Sequence, residues 1–179
     1  DVNGDINGNI NNNNGDVTDV NGAVSHDDVN IDGGSMEFCG YTSIQLSEMQ
    51  IQDVDIGPIV KMRLEQEACP RWNDIVSASE ATKVYWTQWS SLRVVNGVVY
   101  RYYCVKDSPD PVYQVLLPNC LRNEAMILAH TGITGGHMSF KRTCKQLQRR
   151  CFWRKWRKDV ERYCLSCENC ARYRRGKTA

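Results

Sequence analysis

Two histidines and two cysteines in the second half of the chain are spaced like the ligands of a metal ion. Six residues separate His130 from His137, two separate Cys167 from Cys170, and 29 lie between the two pairs. Neutral imidazoles and thiolates together suit tetrahedral zinc, and four protein ligands leave no position for a catalytic water. The spacing therefore predicts a structural Zn²⁺ site.

Cys164 leaves the choice of cysteine pair open. Two residues also separate Cys164 from Cys167, so these two form an equally good local pair. Thiols three positions apart project from the same side of a helical turn in either case. The competing interpretation of the whole pattern is two surface histidines and several cysteines buried as small apolar residues.

The formal net charge of +1 hides a strong asymmetry along the chain. Residues 1–80 contain 15 acidic and 3 basic residues, whereas residues 81–179 contain 6 acidic and 19 basic ones. Residues 138–179 alone hold 14 basic against 3 acidic residues, interleaved with aromatic ones. Such a segment favours a polyanionic partner, because cations that neutralise phosphates release counterions.

The first 34 residues have a different composition, with 9 Asn, 7 Asp, 6 Gly and no Lys, Arg or aromatic residue. They cannot build a hydrophobic core, so residues 1–40 are predicted to be a disordered low-complexity tail. No apolar run approaches the ~20 residues that a transmembrane helix needs, so no membrane partner is expected.

Residues 41–119 are predicted to be a helical connector that ends in a β-meander. Helical periodicity runs from residue 45 to about 67, and Gly57–Pro58 should break it into two helices. Ser77 and Glu80 have capping-box spacing, which predicts a further helix over about 78–91. Asn96–Gly97 between β-rich runs predicts a two-residue hairpin.

Residues 120–179 are predicted to be mainly helical, which gives an α+β chain overall. Three helices are expected near residues 120–130, 138–150 and 156–165, with a short turn holding the last two cysteines. Trp153 and Trp156 are predicted to pack in or beside the core rather than to stack on bases.

Residues 121–177 resemble the amino-terminal His-His-Cys-Cys zinc-binding domain of retroviral and gypsy-type retrotransposon integrases. The resemblance is carried by Gly135–Gly136–His137, Lys141–Arg142–Thr143, Phe152–Trp153, Lys158–Asp159–Val160 and the pair Cys167 and Cys170. It implies a small helix-turn-helix-like three-helix bundle stabilised by zinc. It also implies that the ligands are His130, His137, Cys167 and Cys170, and that Cys164 is not one of them.

The resemblance continues upstream of the zinc motif. The helix, the hairpin and the strand before Pro118 are similar to the segment that connects the ribonuclease H region to integrase in gypsy-type polyproteins. One departure concerns Trp153 to Trp156, where Arg154–Lys155 occupies the place of a Pro-Gly turn in many relatives. This difference bears on how the third helix of the bundle begins.

The resemblance and the basic charge together predict a nucleic-acid-binding and self-association module that supports DNA integration at retroelement ends. The candidate DNA contacts are Lys141, Arg142, Lys145, Arg149, Arg150, Arg154, Lys155, Arg157, Lys158, Arg172, Arg174, Arg175 and Lys177. The alternative is a protein–protein interaction module of a domesticated retroelement-derived protein, in which the basic face is incidental.

No enzymatic activity and no small-molecule substrate are expected of this chain. In the integrases that it resembles, three carboxylates downstream of the zinc domain hold the catalytic metal ions. Only four carboxylates follow Cys120, namely Glu124, Asp159, Glu161 and Glu168, and all lie within or beside the zinc motif. The chain is expected to be a fragment of a longer polyprotein and to act inside the cell, in the nucleus or cytoplasm.

Overall fold

The computed structural model describes residues 39–104, 111–132 and 136–175. All of them belong to one compact unit, Gly33–Ala179. The predicted disordered tail lies outside the described residues except for its last two positions, as does the turn expected at residues 107–111 except for Pro111.

The connector begins with four short helices. They are α1 (Ser43–Gln52), α2 (Gly57–Glu65), α3 (Trp72–Ile75) and α4 (Glu80–Trp86), and a 3₁₀ turn follows at Trp89–Ser91. The predicted break before Pro58 is confirmed, because α2 starts at Gly57 with the proline in its first turn. The cap of α4 differs from the prediction, since the Ser79 hydroxyl, not Ser77, accepts from the backbone N–H of Thr82.

A four-stranded sheet follows in the order β1 (Leu92–Val95), β2 (Val98–Cys104), β3 (Pro111–Leu116) and β4 (Cys151–Phe152). The antiparallel meander of the first three strands is confirmed, with Asn96 and Gly97 both at positive φ in the hairpin turn. The parallel strand β4 was not predicted. A strand of two residues is too short to show an alternating sequence pattern, and only its pairing with β3 identifies it as a strand.

The three helices predicted for the zinc-motif region are present, and a fourth follows them within the described residues. They are α5 (Asn119–Thr131), α6 (Phe140–Gln148), α7 (Trp156–Ser166) and α8 (Glu168–Arg175). The helices α5, α6 and α7 contact one another, and α8 packs on α7. The chain is thus α+β, and the short turn expected at the last cysteines is the start of a two-turn helix.

The two faces of the sheet are buried by different groups of helices, because successive side chains of a strand point to opposite faces. Val98 and Tyr100 lie in a first cluster with Leu46 of α1 and with residues of α5, α6 and α7. Val99 lies in a second cluster with residues of α2 and α4. The first cluster contains residues from both sides of position 119, where the sequence predicts the connector to end. The domain boundary at this position therefore stays a prediction.

The segment before α7 is held by Trp153, whose side chain is fully buried in the first cluster. Its indole Nε1 donates to Asp159 Oδ2 over 2.8 Å. The prediction that Trp153 packs in the core is confirmed. Trp156 is half-buried against this cluster.

Lys155, at the N-cap of α7, occupies the left-handed region at φ 62° and ψ 17°. Glycine adopts positive φ without steric cost, whereas lysine does not. We expect Lys155→Gly to stabilise the protein by about 0.5–1 kcal/mol, measured as a higher urea midpoint.

The matched control is Lys158→Gly, three residues further along in α7. Lys158 is exposed and helical, so glycine there should destabilise the protein by about 1 kcal/mol. Equal losses for both variants would show that Lys155 is not strained.

Candidate metal centre

Four elements bring the predicted ligands together. His130 lies in the last turn of α5 and is 1% exposed. His137 lies in the segment before α6, Cys167 joins α7 to α8, and Cys170 lies in α8. The N–H of Met138 donates to the carbonyl of His130 over 2.7 Å, which folds the His137 segment back onto the end of α5.

The ligand atoms lie at the separations that a tetrahedral ion requires. His137 Nδ1 is 3.2 Å from both His130 Nε2 and Cys167 Sγ, and Cys170 Sγ is 3.4 Å from His130 Nε2. All four ligand atoms lie within 4.8 Å of one another. Standard zinc–ligand bond lengths in a tetrahedron place two nitrogens ~3.3 Å apart, and a nitrogen and a sulfur ~3.6 Å apart. The donor set and its geometry fit Zn²⁺.

The ring nitrogens that face away from the centre also have partners. His130 Nδ1 lies 3.4 Å from the hydroxyl oxygen of Thr143, and that hydroxyl is 3.1 Å from the Ser139 carbonyl. His137 Nε2 lies 2.9 Å from the side-chain amide of Asn169. Such contacts orient a ligating imidazole and fix its tautomer. They leave Nε2 of His130 and Nδ1 of His137 directed at the centre.

The protonation of the site favours metal binding. Burial and the neighbouring His137 lower the pKa of His130, so its imidazole is neutral at neutral pH and its Nε2 lone pair is free for a cation. The Tyr163 ring contacts the His130 ring edge-on, with the ring centres 5.5 Å apart. Sequence reasoning missed the supporting roles of Tyr163, Thr143 and Asn169, because contacts between α5, α6, α7 and α8 create them.

Cys164 lies behind the centre. Its Sγ is 3.5 Å from His130 Nδ1, the nitrogen that faces away from the other ligands. The residue is buried at the end of α7, within the first cluster. The structure therefore groups Cys167 and Cys170 with the two histidines and places Cys164 outside this group.

Most of the candidate DNA contacts are exposed residues of α6, α7, α8 and the segment between α6 and α7. Those with exposed side chains are Lys141, Arg142, Lys145, Arg149, Arg150, Lys155, Arg157, Lys158 and Arg172. Arg154 is half-buried, and its guanidinium lies 3.7 Å from the carboxylate of Glu80. For Arg174 and Arg175 only the helical backbone is described, and Lys177 lies outside the described residues.

Comparison with known proteins gives a family match over part of the chain. The family model described as the integrase zinc binding domain matches residues 117–176. No curated protein and no solved structure matches the chain. Among the helices of the described ranges, none has the length and apolar character to cross a membrane. Residues 117–176 therefore form an integrase-type zinc-binding domain, in which His130, His137, Cys167 and Cys170 are positioned to hold the metal ion.

Proposed function

We propose that this chain is a zinc-dependent DNA-binding and self-association module from a gypsy-type retroelement polyprotein or a host gene derived from one. The connector would be the segment between the ribonuclease H region and integrase. The module would position an integrase on the element's DNA ends, in the nucleus or cytoplasm, while chemistry is left to a separate catalytic core.

The observation that carries the proposal is the exposed positive charge on the helices of the zinc-binding domain. The helices α6 and α7 carry Lys141, Lys145 and Arg157 as exposed cations. No ion pair joins any of these three side chains to a carboxylate in the described ranges. Unpaired exposed cations on a rigid scaffold suit the phosphates of DNA, which supply the opposite charge from outside.

Two of the four acidic residues that follow Cys120 have structural contacts, which supports a non-catalytic role for them. Glu124 accepts a hydrogen bond from the Tyr41 hydroxyl over 3.2 Å. Asp159 accepts from the Trp153 indole and lies 3.4 Å from the Arg162 guanidinium.

DNA binding by the zinc-loaded chain should weaken steeply with salt. The logarithm of the association constant should fall against the logarithm of salt concentration with a slope of about −0.9 per phosphate contacted. Fluorescence anisotropy with a labelled 20-base-pair duplex across a salt series measures this slope. A slope near zero at measurable affinity, or no binding even at low salt, would contradict the proposal.

The alternative of a protein–protein interaction module is favoured by a different observation. Ile127 and Leu128 on α5, Leu165 at the end of α7 and Tyr173 on α8 are large apolar side chains with 40% to 79% of their surface exposed. A flat salt dependence together with oligomers in sedimentation velocity would favour this alternative.

A further inference from the structure

We infer that the DNA-binding surface extends beyond the zinc-binding domain onto the sheet that precedes it, where Arg101 of β2, held on the ring of Tyr103, contacts the phosphodiester backbone of duplex DNA. This inference rests on the proposed function and deepens it. It adds a contact residue that lies outside the basic segment and outside the residues matched by the integrase family model.

Arg101 is held in place by aromatic rings rather than by a carboxylate. Its guanidinium carbon lies 4.0 Å from the centre of the Phe152 ring and 4.6 Å from that of Tyr103. The side chain is half-buried, and no ion pair to it occurs in the described part of the chain. Stacking fixes the plane of the guanidinium and leaves its N–H groups available, so less side-chain entropy is lost when it binds a phosphate.

A continuous path of contacts connects Arg101 to the cations of the zinc-binding domain. The hydroxyl of Tyr103 accepts a hydrogen bond from Gln148 Nε2 over 3.3 Å. The backbone carbonyl of Gln148 in turn accepts from Gln114 Nε2 over 2.5 Å, which ties the end of α6 to the sheet. Gln148 therefore joins the strand surface to the surface of α6.

Gln148 also lines a groove between α6 and α7. This groove has a volume of about 170 Å³, and Lys141, Lys145 and Arg157 line it together with Phe140. The groove has three cations and no acidic side chain among its lining residues, and Gln148 links it through Tyr103 to a fourth cation, Arg101. Cations linked in this way suit a phosphate backbone, because successive phosphates meet successive cations.

The sheet also supplies a matched control. Arg93 of β1 pairs with Tyr100 of β2, the neighbour of Arg101, so Arg93 and Arg101 lie on opposite faces of the sheet. Arg93 likewise sits over a tyrosine ring, 5.9 Å from the centre of Tyr102. Its guanidinium donates to the carbonyls of Ser90 and Leu92 over 2.7 and 2.9 Å, so it is already engaged within the protein.

The test uses the full zinc-loaded chain and a labelled 20-base-pair duplex, with binding measured across a salt series. Arg101→Met keeps an apolar stem over Phe152 but removes the charge, and it should make the salt slope shallower by about 1. Arg101→Lys, which keeps the charge, should retain the original slope. Arg93→Met should also leave the slope unchanged, and Lys145→Met should make it shallower by about the same amount as Arg101→Met.

The outcomes separate this inference from the proposed function. An unchanged slope for folded Arg101→Met, with a shallower slope for Lys145→Met, would overturn the inference and leave the proposed function standing. Absence of DNA binding by the unmodified chain would remove the proposed function itself. Circular dichroism melting checks that each variant folds, and Arg101→Gln replaces Arg101→Met if the methionine variant does not.

Discussion

Removal of zinc should unfold the helices around the metal centre. The four ligands come from the end of α5, the segment before α6, the junction of α7 and α8, and the first turn of α8. Structural zinc contributes ~10–16 kcal/mol of apparent binding free energy in small domains, which is comparable to the total stability of ~5–15 kcal/mol for a whole protein. A chelator titration followed by far-UV circular dichroism should show a large loss of helix, reversed when zinc is returned.

The loss should be concentrated in residues 130–175, because α2, α4 and β1 pack in the second cluster, away from the metal ligands. The second cluster buries Ile56, Ile59, Tyr85 and Leu92 without any residue of the zinc ligand set. Amide hydrogen exchange after chelation should therefore show fast exchange in α6 to α8 and slower exchange in α2 and β1. Unchanged helix content and unchanged exchange after complete zinc removal would refute the structural role of the metal.

Two cysteine variants control for effects of thiol chemistry. Cys170→Ala removes a ligand and should reproduce the effect of the chelator. Cys120 is an exposed cysteine on α5 outside the ligand group, so Cys120→Ala should leave zinc binding and helix content unchanged. Equal effects of both substitutions would argue against the assigned ligand set.

Trp153→Ala should cost about 3–5 kcal/mol of unfolding free energy. Trp153 is among the largest fully buried side chains, and it lies between β4 and α7 in the first cluster. Its loss removes apolar contacts to the sheet and leaves the Asp159 carboxylate without its indole donor. Urea denaturation followed by circular dichroism measures the change, with zinc held in excess.

Because Trp153 lies in the first cluster, the Trp153→Ala variant also tests whether the connector and the zinc-binding domain share that core. The first cluster includes Leu46 and Val98 of the connector as well as Leu147 and Val160 of the zinc-binding domain. Both parts should therefore lose stability together in Trp153→Ala. Trp72→Ala is the control, since Trp72 is 49% exposed and its truncation should cost far less. A connector with unchanged stability in Trp153→Ala would contradict the shared core.

Much of the local structure could be predicted because it depends on neighbours in the chain. The Asn96–Gly97 hairpin follows from the φ values that its turn requires, and the break before Pro58 follows from the ring of that proline. Strand β4 could not be predicted, since a two-residue strand exists only through hydrogen bonds to β3. The cap of α4 was misplaced by two residues because serines occupy both positions and only one reaches the N–H of Thr82.

The metal centre also combines features that the sequence predicts with features that only helix packing determines. The types and spacing of His130, His137 and the cysteines were enough to predict four nitrogen and sulfur ligands for zinc, because ligand chemistry is a property of the side chains themselves. The spacing alone left Cys164 and Cys170 open as partners of Cys167. The packing of α7 and α8 directs the Cys170 thiol toward Nε2 of His130 and the Cys164 thiol toward Nδ1 of the same ring.

The sequence by itself determined which metal this protein can hold and which segment carries its positive charge, since composition and spacing specify both. Only the tertiary structure decided that residues on both sides of position 119 share a core, and that Tyr103, on which Arg101 stacks, contacts Gln148 at the end of α6. The physical reason is that these relations join residues about 40 or more positions apart in the chain. Contacts over such distances depend on packing and strand pairing, which local sequence patterns do not encode.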